Sequence, residues 1–374
     1  MKKLAIIGAS YLQLPLIEKA KIMGIETHCF AWEDGAICKD FADFFYPISV
    51  VDKDAILSIC QKIKIDGITS IASDVAVPTM CYIAEKMGLI GNPDNLYLID
   101  KFQMRQRFNE YNISSPQYTL AQNDYFDVIL KYPVIVKPTD RSGSLGVKKV
   151  ERKEDLFNAV ERARKESFTN QAIIEEFIGG SEVSVETISW KGEHYILAVT
   201  DKITTEDPYF VELEHHQPSQ HSKHILENII TETKKALTSL NIIYGASHSE
   251  LKITDDGSVF IIEIGARMGG DFIGSHLVEL STGYDFVKGV IDVALGYFEK
   301  PKFKTSEFSG VYFLCQESKY ILPIIQDKGK YPEIITAEIT NNELLDIKCS
   351  ANRSGYFIYQ SNKKMIVNKE INNI

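Results

Sequence analysis

Two glutamates, Glu250 and Glu263, are spaced so that they face each other across a hairpin. Residues 248–270, HSELKITDDGSVFIIEIGARMGG, alternate apolar and polar positions around Asp256-Gly257, and Asp-Gly in that setting predicts a hairpin with a two-residue turn. The paired carboxylates would then lie roughly 5 Å apart and repel each other. Hard oxygen ligands with no soft ligand nearby suit Mg²⁺, with Mn²⁺ as an alternative metal. The hairpin therefore predicts a metal site; an ordinary solvated face is the alternative.

The other face of this hairpin is apolar. It is expected to face the core and carries Leu251, Ile253, Phe260, Ile262 and Ile264. Arg267 follows Glu263 by four residues, at the end of the strand. It is expected to present a fixed positive charge to a phosphate or a carboxylate.

Length and composition predict an ordinary soluble protein of two or three domains. The chain has 374 residues, 44% hydrophobic and 25% charged, and its formal net charge of -10 argues against a general nucleic-acid or anionic-membrane surface. The six cysteines form no CxxC pair and no Cys/His cluster, which predicts free thiols and no zinc site. The apolar run after Lys2-Lys3 is too short for a secretory signal, and no window spans a membrane. We expect a cytoplasmic protein.

The first hundred residues alternate strands and helices. Apolar strands are predicted over 3–7, 25–30 and 66–72, with a helix over 12–23 after the first of them. This alternation predicts a parallel sheet covered on both faces. Asp74, just beyond the strand at 66–72, is expected to cap the next helix, with a substrate contact as the alternative.

Two lysines in the middle of the chain stand where a phosphate would bind. Asp100 is expected to cap a helix whose first turn contains Lys101, a position that the helix dipole disfavours. A nearby phosphate would explain this lysine, and so would plain solvent exposure. Lys137 ends a predicted strand, and the loop 142–146, SGSLG, follows it and can wrap backbone N–H groups around an anion. The loop lacks the GK[ST] of a Walker A motif.

Two further predicted strands carry glutamates in positions suited to a nucleoside. One covers 173–178, and the other, over 181–188, alternates strictly and places Glu182 and Glu186 on one face. An adenine requires an apolar slot with backbone hydrogen bonds, and a ribose requires a carboxylate for its hydroxyls. A strand edge with glutamates offers both.

The order of these parts resembles the ATP-grasp superfamily over roughly residues 1–300. The resemblance implies an α/β protein with an N-terminal parallel-sheet (pre-ATP-grasp) domain, ATP-grasp α+β domains and a small β-rich C-terminal part. It places the first domain at 1–95, the ATP-grasp domain at 96–300 with a lid subdomain at about 112–190, and the C-terminal segment at 301–374.

The same resemblance implies roles for the matching residues. The ATP-binding residues would be Lys101, Lys137, Ser142, Gly143, Ser144, Leu145, Gly146, Glu175, Glu176, Phe177, Ile178 and Glu182. Glu250 and Glu263 would bind Mg²⁺, and Lys137 and Arg267 would be catalytic. The usual pattern after the second metal ligand is Glu-x-Asn-x-Arg, and here Gly265 replaces the asparagine. Because glycine has no side chain to ligate a metal, water or a bidentate Glu263 must fill that place.

The segment 210–219, FVELEHHQPS, with the residues around the hairpin, resembles the branch that contains L-amino-acid ligases (dipeptide synthases). The substrate residues that this branch implies are Glu212, His215, His216, Arg267 and Gly269. Glu212 would pair with an α-amino group. His215 would contact a carboxylate or phosphate, or His216 would, because one gap in the alignment exchanges the two histidines. From the residues alone, the segment is expected to be a polar substrate-recognition loop, with a simple exposed loop or metal-binding histidines as alternatives.

The resemblance implies an ADP-forming ligase that converts a carboxylate into an acyl phosphate and then into an amide or peptide bond. Its partners would be a small-molecule carboxylate and amine, amino acids being the expected class. The alternatives are a carboxylase-type ATP-grasp enzyme acting on a purine precursor and a non-catalytic nucleotide-binding regulator. Strands predicted over 310–314, 333–339 and 355–359 would form a wall of the substrate pocket or an oligomer contact, as in a homodimer.

Overall fold

The N-terminal part is a four-stranded parallel sheet covered by helices. The computed structural model describes residues 1–94, 96–121, 130–205, 207 and 209–367. The strands are β1 (Lys3–Ile7), β2 (Glu26–Phe30), β3 (Phe44–Tyr46) and β4 (Gly67–Thr69), in the order β3-β2-β1-β4. The helices are α1 (Leu14–Ile22), α2 (Lys53–Ile63) and α3 (Val77–Met87). The predicted alternation is confirmed, and β1 is almost entirely buried because helices cover both faces of a parallel sheet.

A second four-stranded sheet, which we call the small sheet, follows a helix with a clear start. Helix α4 (Lys101–Glu110) begins at Asp100, whose side chain accepts a hydrogen bond from the Gln103 backbone N at 2.8 Å, so the predicted cap is confirmed. The sheet has the antiparallel order β5-β8-β6-β7, and α5 packs on it. Its elements are β5 (Tyr118–Ala121), β6 (Val134–Pro138), β7 (Lys148–Val150), α5 (Lys153–Glu166) and β8 (Ala172–Glu176).

The largest sheet is antiparallel and has eight strands in the order β13-β12-β9-β10-β11-β14-β16-β15. They are β9 (Ser181–Trp190), β10 (Glu193–Thr204), β11 (Glu212–Gln217), β12 (Gly245–Ile253), β13 (Val259–Gly265), β14 (Phe308–Leu314), β15 (Ile334–Ile339) and β16 (Gly355–Ser361). The accompanying helices are α6 (Lys223–Ser239), α7 (Val278–Thr282), α8 (Phe286–Leu295) and α9 (Leu322–Gln326).

The C-terminal strands extend this central sheet. The three predicted strands are present as β14, β15 and β16, and β14 pairs with β11. Residues from the end of the chain are therefore carried by the same sheet as the facing glutamates. The predicted domain boundaries stay a prediction, and residues 368–374 of the predicted C-terminal segment, like residues 122–129 of the predicted lid, lie outside the described residues.

The hairpin has a longer turn than the sequence predicts. Ile253 pairs with Val259, and the N–H of Gly257 donates to the Thr254 carbonyl at 2.8 Å. The two-residue turn is therefore wrong. Gly257 has a φ of +83°, a left-handed conformation that glycine adopts without a steric penalty.

A β-bulge restores the predicted pairing. The register shifts between Glu250 and Leu251, because Ile262 is an extra residue on β13, and Glu250 does lie opposite Glu263. The turn and the bulge each displace the register by one residue, and the two displacements cancel.

The bulge also changes which face of β13 is buried. Phe260 and Ile262 were expected in the core, but both are only half-buried, whereas Val259, Ile261 and Ile264 are buried. An extra residue reverses the alternation of side chains beyond it. Ile262 and Glu263 can therefore both line the same cleft.

The histidine-rich segment is a strand and not a loop. Glu212–Gln217 forms β11 between β10 and β14, and His215, His216 and Gln217 are buried. The prediction of a loop is therefore wrong, while substrate recognition by this segment stays a prediction. Its run of polar residues forms a strand whose backbone pairs with β10 and β14.

The cysteines form no disulfide within the described part of the chain. The six cysteines are free, and all except Cys349 are buried. None of the helices among the described residues combines the length and apolar character needed to cross a membrane.

Candidate functional site

A cleft between the small sheet and the central sheet brings most of the predicted site residues together. Those that line it are Lys101, Lys137, Ser142, Gly143, Ser144, Glu175, Glu176, Phe177, Ile178, Glu182, Glu212, Glu250, Glu263 and Arg267. The predicted residues that do not line it are Leu145, Gly146, His215, His216 and Gly269.

The facing glutamates each contact a buried ammonium group. Lys101 Nζ lies 2.9 Å from Glu263 Oε1, and Lys202 Nζ lies 2.8 Å from Glu250 Oε1. Burial by itself would raise the pKa of Glu250, but Lys202 and His248 together outweigh burial and hold that pKa well below its ordinary value. The repulsion expected between the two carboxylates is thus offset by one cation on each. We call these four residues the paired-glutamate region.

Lys202, which the sequence analysis missed, binds several carboxylates at once. Its Nζ lies 2.8 Å from Glu182 Oε1 and 3.4 Å from Glu212 Oε1, in addition to its contact with Glu250. Burial alone would lower the pKa of Lys202, but these carboxylates raise it well above the usual value. Lys202 stands directly opposite Glu182 in the β9–β10 pairing, a register that spacing along the chain does not reveal.

A second ion-pair group lies against the small sheet. Glu175 Oε2 lies 2.7 Å from Lys137 Nζ, and Glu175 Oε1 lies 2.9 Å from Arg105 Nε. Burial lowers the pKa of Lys137 in spite of its partner. For Glu175 burial opposes ionisation, yet Arg105 and Lys137 hold its pKa below the ordinary value. Arg105 was not among the predicted site residues. Arg105 follows Lys101 by four residues on α4, so the two side chains share one face of that helix.

The middle of the cleft offers an apolar slot beside a strand end. The Phe177 ring lies 6.5 Å from the Phe210 ring, and Lys149 Nζ sits 4.5 Å from the centre of the Phe177 ring. Ile178 and Ile262 complete the apolar lining. A flat aromatic base fits such a slot, with the backbone after β8 within reach for hydrogen bonds.

The loop between Lys137 and β7 only partly faces the cleft. Gly143 and Ser144 have φ values of +65° and +58°, so the chain reverses sharply there. Leu145 is 41% exposed, and Gly146 packs against Pro138, where a Cβ would lie 3.0 Å from Pro138 Cγ. The first part of the loop therefore lines the cleft, and the second part supports it.

Arg267 is held by a carboxylate from the N-terminal part. Its Nε and Nη2 donate to the two carboxylate oxygens of Asp74, each at 2.8 Å. The predicted cap by Asp74 is wrong, because Ser73 occupies the N-cap position of the short 3₁₀ turn there and Asp74 binds Arg267 instead. The alternative, a place at the site, agrees with the lining of the cleft by Asp74.

Gly265, the departure from the family pattern, leaves room for this ion pair. A Cβ at Gly265 would lie 2.6 Å from Asp74 Oδ1 and 3.2 Å from Arg267 Nε. Real Cβ atoms do not approach that closely, so an asparagine at this position would displace the pair. The Asp74 carboxylate occupies space that a side chain at Gly265 would need.

His248 and Gly269 form a buried group behind Glu250. His248 Nδ1 makes a short contact with Glu186 Oε1, and the Gly269 backbone N donates to Glu186 Oε2 at 3.0 Å. Burial lowers the pKa of His248, but Glu186 more than offsets burial and the pKa rises to about 9. A Cβ at Gly269 would lie 2.6 Å from Glu186 Oε1, so this position accepts only glycine.

The two adjacent histidines of β11 face opposite sides of the sheet. His216 is fully engaged away from the cleft, with Nδ1 3.0 Å from the Tyr359 hydroxyl and Nε2 2.9 Å from Glu214 Oε2. His215 stands opposite Lys202 in the strand pairing. Burial lowers the pKa of His215 well below its ordinary value, so its ring is neutral at pH 7.

The donor set fits a Mg²⁺ that binds together with a nucleotide. Among the described residues no group of three or more His, Cys, Asp or Glu side chains is placed to hold a metal ion. Glu250 and Glu263 supply hard oxygens, and Mg²⁺ is commonly bound by one or two carboxylates plus substrate phosphates. The cleft therefore lacks a complete all-protein metal cage in its described part but has the carboxylates that a Mg-nucleotide requires.

Comparisons with known proteins agree with this geometry. Residues 130–275 match the ATP-grasp domain. The chain is 27% identical over 297 residues to an alanine–anticapsin ligase from Bacillus subtilis, an alignment that covers 68% of this chain and 60% of that protein. The chain thus spans about three fifths of that relative's length.

Solved structures share the whole architecture. An L-amino acid ligase from Bacillus licheniformis has a TM-score of 0.80 at 21% identity, covering 97% of this chain and 94% of that one. An N5-carboxyaminoimidazole ribonucleotide synthetase solved with ADP has a TM-score of 0.78 at 18% identity, covering 97% and 93%. The N-terminal parallel sheet and the two antiparallel sheets together are the fold of these enzymes.

Proposed function

We propose that this chain, which carries an ATP-grasp domain over residues 130–275, is an ADP-forming ligase that joins a carboxylate to an amine. The observation that carries the proposal is the paired-glutamate region, where Glu250 and Glu263 face each other with Lys101 and Lys202 beside them. Two carboxylates surrounded by cations suit a Mg-triphosphate whose last phosphoryl group is being transferred.

ATP would lie along the cleft from the apolar slot to the paired-glutamate region. The adenine would occupy the slot at Phe177 and Ile178, and Glu182 would accept hydrogen bonds from the ribose hydroxyls. Lys137 and Lys101 would bind the phosphates. Lys137 is paired with Glu175 and Lys101 with Glu263. Mg²⁺ bound by the two glutamates and the phosphates would supply charge neutralisation at the transferred phosphoryl group.

The reaction follows from the poor acylating power of a carboxylate. A substrate carboxylate oxygen attacks the γ-phosphorus of ATP, the bond to the β-phosphate oxygen breaks, and ADP leaves. The amine then attacks the carbonyl carbon of the acyl phosphate, loses a proton and expels phosphate. Arg267, fixed in orientation by Asp74, would stabilise the acyl phosphate and the tetrahedral oxyanion.

Amino acids are the substrate class that we favour. Glu212 lines the cleft and would bind a substrate α-amino group, since a carboxylate pairs with an ammonium. His215 is the better candidate of the two histidines, because both ring nitrogens of His216 are already engaged by Tyr359 and Glu214. The names of the alanine–anticapsin ligase and the L-amino acid ligase support the same class.

Water must be kept from the acyl phosphate, because the intermediate hydrolyses. The loop 142–146, with its left-handed Gly143 and Ser144, is the segment that we propose as the lid over the phosphates. Part of it already lines the cleft.

The test is a substrate screen with purified protein and Mg-ATP. ADP release is measured with the standard L-amino acids singly and in pairs, and with bicarbonate plus an amine, while mass spectrometry identifies the product. A dipeptide or amide that appears together with ADP supports the ligase. A bicarbonate-dependent release supports the carboxylase alternative, and ATP binding without any turnover supports the regulator.

A further inference from the structure

A buried arginine from the C-terminal part of the chain contacts Glu212, which lines the cleft. The side chain of Arg353, just before β16, is 8% exposed. Its Nη2 donates to the Glu212 backbone O at 2.9 Å and lies 3.1 Å from Glu212 Oε2, while Nη1 lies 2.7 Å from Asp271 Oδ2. The guanidinium is stacked 3.8 Å from the centre of the Phe313 ring, whose edge also meets the His215 ring at 5.6 Å. We call these five residues the Arg353 cluster.

Ion pairs connect the Arg353 cluster to the paired-glutamate region. Glu212 is shared, because one of its oxygens contacts Arg353 and the other contacts Lys202. Lys202 in turn contacts Glu250. Two ion pairs, Glu212 with Lys202 and Lys202 with Glu250, therefore link the cluster to the paired-glutamate region.

The cluster keeps polar groups without partners. Within the described part of the chain, Arg353 Nε and both ring nitrogens of His215 have no hydrogen-bond partner, although both side chains are more than nine-tenths buried. Buried polar groups are normally satisfied, so such groups mark a place where a ligand supplies the missing partner. An anion with two oxygens meets the needs of a guanidinium N–H and an imidazole N–H together.

The backbone next to the cluster is strained. Asp271 and Phe272 have φ values of +48° and +66°, and Ala72, across a small cavity, has a φ of +56°. Left-handed residues other than glycine are uncommon and concentrate at ligand-binding positions. The loop after β13 is thus held in the conformation that brings the Asp271 carboxylate to Arg353.

We propose that the Arg353 cluster binds the α-carboxylate of the amine substrate, the amino acid whose amino group attacks the acyl phosphate. This inference rests on the proposed ligase function. The carboxylate of that substrate stays charged throughout the reaction and needs a cation other than Lys101 and Arg267, which face the phosphate. The unpartnered Nε–H of Arg353 and a ring N–H of His215 would each donate to one carboxylate oxygen, and Glu212 and Asp271 fix the orientation of the guanidinium.

The test separates the two half-reactions by trapping the intermediate with hydroxylamine. Hydroxylamine attacks the acyl phosphate to give an acyl hydroxamate and phosphate, and it has no carboxylate for Arg353 to bind. The donor is the L-amino acid that gives most hydroxamate, and the amine substrates are the standard L-amino acids and their primary amides. The proteins compared are wild type, Arg353→Gln, Arg353→Lys and a control, Lys363→Gln, which removes an exposed charge from the same segment.

Arg353→Gln is expected to raise the KM of the preferred amino acid roughly 10- to 100-fold, the effect of one charged hydrogen-bonded contact. The rate of hydroxamate formation and the KM of the matching amide should stay unchanged. Arg353→Lys should recover part of the loss, because it keeps the charge but cannot contact Glu212, Asp271 and the substrate at once, and Lys363→Gln should behave as wild type.

Two results would overturn the assignment. An equal loss with hydroxylamine, amino acid and amide would mean that Arg353 only holds the C-terminal strands in place, and an unchanged amino-acid KM would mean that it does not bind the carboxylate. The absence of hydroxamate from wild type with every amino acid would instead reject the proposed ligase function, and this inference with it.

Discussion

The paired-glutamate region and the Arg353 cluster offer opposite partners to a ligand. In the first, the Glu250 and Glu263 carboxylates offer hard oxygen ligands to a cation, although each already contacts a buried ammonium group. In the second, Arg353 still has an unpartnered N–H beside the neutral, unpartnered ring of His215, so a further anion can be accommodated. The cleft would therefore bind a Mg-nucleotide at the paired-glutamate region, and the Arg353 cluster would bind a carboxylate.

The two histidines of these regions show the same contrast. His248, behind Glu250, keeps its proton because the Glu186 carboxylate outweighs burial. His215 loses its proton because burial prevails and no carboxylate hydrogen-bonds to it among the described residues. Both rings are buried, so the presence or absence of a carboxylate partner decides the charge of each ring.

The largest effect is expected from Glu263→Gln, which removes one of the two facing carboxylates. ADP formation should fall by on the order of 10²–10³-fold, as when one preorganised electrostatic group is removed from an active site. The fold should persist, as circular dichroism would show. Glu227→Gln, on the exposed face of α6, is the matched control and should leave turnover unchanged. Full activity of Glu263→Gln would remove the basis for a metal role.

A smaller effect, on stability, is expected from Lys202→Met. Three carboxylates would lose the cation that they share, and the free energy of unfolding should fall by on the order of 3 kcal/mol, the cost of removing one partner from a buried ion-pair group. Added Mg²⁺ should raise the melting temperature of this variant more than that of wild type, because the metal replaces the lost charge. Lys223→Met, at a 91% exposed side chain, is the control. An unaltered melting temperature would show that Lys202 does not neutralise the site.

Gly265→Asn restores the family pattern and should nevertheless be destabilising. Its Cβ would meet Asp74 Oδ1, and overpacking of this kind costs roughly 1–3 kcal/mol in the free energy of unfolding measured with urea. Gly179→Asn, where a Cβ would meet nothing within 4 Å, is the control. In an Asp74→Ala background the cost of Gly265→Asn should largely disappear. Additive losses in the double variant would disprove the contact.

The smallest effect is a pH dependence at His215. Its folded-state pKa is depressed below the ordinary value of 6.5, so its contribution to stability is complete above pH 6.5 and is lost as the pH falls below that value. Below pH 6.5 wild type should therefore lose stability relative to His215→Gln. The loss in unfolding free energy should be up to about 1.4 kcal/mol per pH unit. His224→Gln, on exposed α6, should show no such shift. A constant difference would mean that His215 is not held neutral.

Much of the paired-glutamate region could be predicted from the sequence, because its residues follow local rules. Alternation and Asp-Gly indicated the facing glutamates, although two opposite register errors had to cancel for the pairing to be right. Arg105 was missed, but its spacing from Lys101 was a usable signal. Lys202 carried no such signal, since its role depends on the register between β9 and β10.

The Arg353 cluster could not be predicted, for a physical reason. Arg353 is 141 residues from Glu212 and 82 from Asp271 along the chain, and two strand pairings, β11 with β14 and β14 with β16, connect β11 to β16. Polar composition suggested a loop at β11, because contacts that favour burial there, such as that of His216 with Tyr359, come from strands distant in the chain. Sequence patterns indicate contacts between residues that are close in the chain, and the Arg353 cluster has almost no such contacts.

The most direct test of the proposed ligase follows an oxygen atom. With the carboxylate of the donor amino acid labelled with ¹⁸O and with Mg-ATP and an amine present, mass spectrometry of the released phosphate reports whether carboxylate oxygen was transferred. An acyl phosphate requires one ¹⁸O in each phosphate formed with ADP. Unlabelled phosphate accompanying ADP would mean that water, and not the carboxylate, attacks ATP, and the account given for this cleft would be wrong.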